Sequence, residues 1–109
     1  MSTVDEKKRF YIKIHEHEGK LLLAVCDPNI LGRERRKGDV VISVPQYFYQ
    51  GREASLEEVI DLIREADMVV VTGRRIIEEL IKAGIVDEES VLKLDEEFWH
   101  VQILKEVIR

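Results

Sequence analysis

The chain has a single cysteine, two prolines and one asparagine among its 109 residues, and aromatic side chains make up only 6% of it. With Cys26 alone, no intrachain disulfide can form and a cysteine-based metal framework is excluded, which fits a reducing cytosol. No apolar stretch approaches the roughly 20 residues that cross a bilayer, and the opening "MSTVDEKKRF" is polar, with no signal-type apolar run behind it. A cytoplasmic location and no membrane partner are therefore expected. Catalytic signatures are also missing. There is no Lys-Ser/Thr ending of a P-loop, no glycine spacing of a dinucleotide fold, and no Ser-His-Asp order or paired catalytic carboxylates. An enzyme is thus the lesser expectation, with no cofactor and no catalytic residue assigned.

What the chain has in excess is charge, at 36% of residues with a net −5. That abundance, set against one Asn and two Thr, is the balance of proteins from hot habitats, so thermostability is expected. The charge is unevenly spread. Residues 1–52 hold 10 Lys/Arg against 7 Asp/Glu, whereas residues 53–109 hold 7 against 15. The acidic half could face a protein partner. Length and apolar content suit one core, with residues 1–8 as a flexible terminus and 9–109 as a single globular domain.

Hydrophobic periodicity predicts an α/β domain with a mixed sheet in the order β-β-β-α-β-α-β-β. "FYIKIHE" alternates, placing Phe10, Ile12 and Ile14 on one face and Tyr11, Lys13 and His15 on the other. "LLLAVC" reads as a strand buried on both faces that forms an antiparallel hairpin with the first. Asp39 to Val44 is a third strand, closed by Pro45. Ser55 and Glu58 have the spacing of a capping box at the start of a helix over 56–66. Met68 to Val71 reads as an interior parallel strand, followed by a helix over 74–83 that Gly84 terminates. "VLKL" and Trp99 to Val107 complete the sheet, the two helices serving as crossovers.

Four stretches could carry function. In "GRERRKG", between Gly32 and Gly38, Arg33, Arg35, Arg36 and Lys37 surround Glu34 on a predicted loop. These cations read either as a solvated turn or as phosphate contacts to RNA or a ribonucleoprotein. Tyr47 and Tyr49 could stack bases and Arg52 beside them could contact RNA phosphates, while Phe48 packs over the core. Six strand residues put this aromatic end roughly 20 Å from the basic loop. At Thr72, Gly73, Arg74 and Arg75 a strand runs into a helix start, a generic anion site for a phosphorylated or anionic metabolite. Its plainer reading is an N-cap with surface arginines paired to Glu78 or Glu79. His15 and His17 share a strand face, but two ligands do not make a metal site, so none is assigned.

The segments "YIKI", "EGKLLLAVCD", "LGR", "KGD", "GIVDEESVLKL" and "HVQ", spanning about Phe10 to Leu104, resemble a small archaeal family of unknown function. "LLLAVCDPNILG", followed after a charged stretch by "GD", is its most recognisable part. The resemblance implies a cytosolic archaeal protein; members of that family are sometimes labelled predicted RNA-binding, without a defined activity. Where that family has a "PHAQ"-like segment, this chain has Phe98-Trp99-His100-Val101-Gln102. His100 and Gln102 are the retained positions of a possible C-terminal site, and the proline is missing.

Overall fold

The computed structural model describes residues 9–105. The expected flexible terminus at 1–8 and the end of the last strand beyond Lys105 lie outside the described residues. In chain order the elements are β1 (Arg9–His17), β2 (Lys20–Cys26), β3 (Glu34–Lys37), β4 (Val40–Ser43), α1 (Gln46–Tyr49), β5 (Arg52–Ser55), α2 (Leu56–Glu65), β6 (Met68–Thr72), α3 (Arg74–Lys82), β7 (Leu92–Lys93) and β8 (Trp99–Leu104). Short 3-10 turns lie at Pro28–Ile30 and Glu88–Ser90.

Six strands form one mixed sheet in the order β5-β1-β2-β6-β8-β7. The β1–β2 hairpin is antiparallel, as its alternation and the "EHEGK" turn require. β2 and β6 are parallel, and the polypeptide between them passes through α2. The second helix is a crossover as well: α3 leads to β7, and because β8 is antiparallel to both β6 and β7, those two strands run parallel on either side of it. Both helices begin where the sequence places them. Ser55 accepts from the Glu58 N–H and Glu58 reaches back to the Ser55 N–H, so the capping box at α2 is complete.

The third predicted strand is present as β4, but outside the main sheet. It pairs with the basic segment, which is itself a strand, so β3 and β4 make a separate two-stranded arm. Gly38, at φ +63°, and Asp39 form its tight turn. The arm folds back along itself, with Arg33 and Val44 joined by a backbone hydrogen bond at its root. Cations and aromatics are therefore not held a full strand length apart, as a loop at one end of β4 implies; only the arm's tip is remote from α1.

Strand alternation divides the core in two. Phe10, Ile12, Leu23, Val25, Val69, Val71 and Val101 point toward α2 and α3 and pack on Val59, Ile63, Ile76, Ile77 and Leu80. On the other face Ala24 and Cys26 pack beneath Ile42 and Val44 of the arm, Ile30, Tyr49, Leu94 and Phe98. Ile14 shares the helical side but is 48% exposed at the far end of β1.

Candidate functional site

Three of the four cations in and next to β3 face inward, because residues 33, 35 and 37 alternate toward the segment before β8. Arg35 is ion-paired with Asp95 and lies 3.5 Å from Glu97, with its guanidinium 4.6 Å above the Phe98 ring. Arg33 meets Glu97 at 3.5 Å and the Asn29 carbonyl at 3.3 Å. Lys37 donates to the Leu94 carbonyl at 3.5 Å. The Phe98 N–H, then the Glu97 N–H and the Arg35 guanidinium, hold Asp95 below the usual carboxylate range. Arg36 points the other way, beside Val41, and has no hydrogen-bond or ion-pair partner among the described residues. In the sequence the four are equivalent, because the acidic partners lie about 60 residues away at "DEE" 95–97.

The aromatic cluster also separates. Tyr47 is 76% exposed, and its carbonyl accepts from the Lys13 ammonium at 2.7 Å. The Lys13 ammonium is thus held at the Tyr47 main chain, a contact that strand alternation allows without revealing. Phe48 is half-buried and stacks on His15 at 4.6 Å, and His15 Nε2 donates to its carbonyl at 2.9 Å. Tyr49 is only 3% exposed, so its ring is unavailable for stacking bases. Arg52 pairs across β1 with Ile12 and is ion-paired to Glu58 of α2, which puts it on the helical side and away from Tyr47.

At the start of α3 the predicted anion site is filled from within the protein. Asp27, 2% exposed at the end of β2, accepts from the Arg75 N–H at 2.8 Å and the Ile76 N–H at 2.9 Å. Gly73 N–H donates to the Trp99 carbonyl and Arg74 N–H to the Glu97 carbonyl. No donor of the first turn is left for a ligand. Gly73 is indispensable here, since its φ is +130° and an added Cβ would lie 2.4 Å from Asp27 Cγ. Burial pushes the Asp27 carboxyl up to about 6, against the lowering by its two N–H donors and Arg75. Arg74 binds Glu78 at 3.0 Å, as the plainer reading has it, and Arg75 lies over the Phe10 ring.

Beside Asp27 runs a polar chain. Tyr49 Oη lies 3.0 Å from Thr72 Oγ1, which lies 2.8 Å from His100 Nδ1. The direction of donation along this chain follows the tautomer of His100, whose Nε2 lies 3.4 Å from the amide nitrogen of the exposed Gln102. Burial lowers the His100 pKa and keeps the ring neutral. A threonine hydroxyl held by a histidine has the outline of a nucleophile and its base, yet Thr72 is 0% exposed and no substrate atom can reach it. The arrangement satisfies a polar core. Among the described residues, no three His, Cys, Asp or Glu side chains are grouped as metal ligands, and no helix is long and apolar enough to cross a membrane.

The family model described as "Protein of unknown function (DUF424)" matches residues 15–105. A crystal structure of an uncharacterized conserved protein from Methanopyrus kandleri, an archaeon, shares the fold at a TM-score of 0.68 and 19% identity, over 93% of this chain and 96% of that one. No curated protein matches.

Proposed function

The chain belongs to DUF424, a family of unknown function, and we propose that it is a cytosolic, non-catalytic module that docks on single-stranded RNA through the β3–β4 arm and Tyr47. The observation that carries this reading is the asymmetry among the four cations. Arg33 and Arg35 spend their charge on Asp95 and Glu97, whereas Arg36 and Lys37 have no carboxylate partner among the described residues. Two unneutralised cations near the arm's tip suit phosphates. At its other end the exposed Tyr47 ring, on a residue whose main-chain carbonyl accepts from Lys13, offers a platform for a base. The spacing favours an extended polyanion over a small metabolite.

The test is a salt titration of binding to single-stranded RNA. Each phosphate contact removed lowers the salt slope by about 0.7, so Arg36→Ala with Lys37→Ala should flatten it by about 1.4. Arg33→Ala with Arg35→Ala should leave the slope nearly unchanged. Tyr47→Ala should weaken binding by about 1 to 3 kcal/mol at a constant slope. Absence of binding at low salt, or equal slopes for wild type and the Arg36/Lys37 variant, would overturn the reading.

A further inference from the structure

The two edges of the main sheet are finished differently. β5 is four residues long and carries Arg52 and Glu53, devices that discourage another strand from joining. At the other edge β7 covers only Trp99 and His100 of β8. From Val101 to Leu104 the outer side of β8 has no strand partner among the described residues. The stretch "FWHVQIL", 98–104, has no Lys, Arg, Asp, Glu or Pro, in a chain that is 36% charged. Beside it lies a groove of about 250 Å³ lined by Ile85, Val86, Asp87 and Ser90 and by residues 101–104.

The direction of the main-chain groups follows from the ladder. Gly73 N–H donates to the Trp99 carbonyl and Lys105 N–H to the Asp67 carbonyl, so residues 99 and 105 bond toward β6. Alternation in an antiparallel pair turns 101 and 103 the same way and directs 100, 102 and 104 outward. Leu94 N–H donates to the Phe98 carbonyl on that outer side, in agreement. His100 is opposite Leu92, which leaves the N–H and C=O of Gln102 and Leu104 aimed into the groove.

We propose that two copies of this chain associate by antiparallel pairing of β8 with itself, centred on Ile103. The pleat requires paired residues to share a sheet face, and β7 blocks positions 99 and 100, so a centre at 103 joins the most residues. Gln102 then exchanges both main-chain bonds with Leu104 of the second copy, twice by symmetry, and Ile103 faces Ile103 in the close, non-hydrogen-bonded position. Every outward group is satisfied by an identical strand, and no like charges are opposed. Lys105 falls opposite the uncharged Val101 of the other copy, its ammonium held by the Ile63 carbonyl of its own chain. Leu104, 64% exposed in the single chain, gains cover.

Sedimentation equilibrium should show a dimer for the wild type. Gln102→Pro removes an outward N–H while sparing the ladder to β6, and should raise the dimer dissociation constant by about tenfold or more, with a thermal melt to confirm folding. Ile103→Cys should give a disulfide-linked dimer on oxidation, whereas Leu104→Cys, which faces Gln102, should link far less; buried Cys26 does not compete. A wild type that stays monomeric at every concentration overturns the proposal, as it must if the groove instead takes a strand of another protein. An undiminished dimer in Gln102→Pro, or linkage through position 104 in preference to 103, overturns it as well.

Discussion

Under α2 and α3 the main sheet meets hydrocarbon, Leu23, Val25, Val69 and Val71 lying against Ile63, Ile76, Ile77 and Leu80. Under the arm the same strands end in Cys26, Asp27 and Thr72, and what covers them includes a tyrosine hydroxyl and an imidazole. The first face is held by area, where each buried aliphatic side chain contributes roughly 1.5 to 3 kcal/mol and neighbours can partly relax around a change. The second face is held by accounts of donors and acceptors, where a small deletion leaves a partner stranded. One sheet thus uses two kinds of stabilisation, and substitutions should separate them.

The largest loss should come on the helical face. Leu80→Ala empties a fully buried site between helix and sheet and should cost about 2 to 5 kcal/mol in urea unfolding, with little dependence on pH. On the arm face the distinguishing variable is pH. Asp27 titrates at about 6 in the folded protein against an ordinary value of 3.8, so the folded state holds an extra proton between those values. Its contribution is fully present below about 3.8 and is lost as pH rises through about 6. Asp27→Asn should remove that fall, so the difference in stability between wild type and variant should change across this window and be flat above it. His100, lowered from its ordinary 6.5, acts in the opposite sense, its contribution fading as pH falls, but it is common to both proteins and cancels in the difference. A flat difference throughout would mean that the carboxyl is not buried as described.

The smallest of the three effects is Thr72→Val, nearly isosteric, which strands Tyr49 Oη and should cost about 1 to 3 kcal/mol. Adding Tyr49→Phe should recover part of that loss. If the double variant were worse by the sum of the two, the hydroxyls would not be acting as a pair.

Local signals are legible in the sequence because their causes are local. The Ser55–Glu58 box, the apolar stripe of α3 and the alternation of β1 each lie within a few residues, and the structure has all three. The basic segment reads as a loop because "ERRK" has neither β-branched residues nor visible alternation; only pairing with Val40–Ser43 makes it a strand. α1 and β5, four residues each, are too short for periodicity and passed for a connection. The surroundings of Thr72-Gly73 and Tyr49 are not legible, because their partners are distant in sequence. Thr72-Gly73 looked like an anion site because its missing partner, Asp27, is 48 residues away from the nearest N–H it caps. Tyr49 looked like a stacking ring because nothing near it in sequence announces Thr72.

The lone thiol of Cys26 offers a kinetic use. It is fully buried, and desolvation, with the neighbouring Asp27 charge adding to it, pushes its pKa up to about 12. No reagent meets a thiolate until β2 is uncovered, so each modification records one opening event. Because Cys26 lies under the arm, the protein carries its own clock for that face: labelling that outpaces global unfolding would time the lifting of the arm alone, and labelling at the unfolding rate would show that arm and sheet open together.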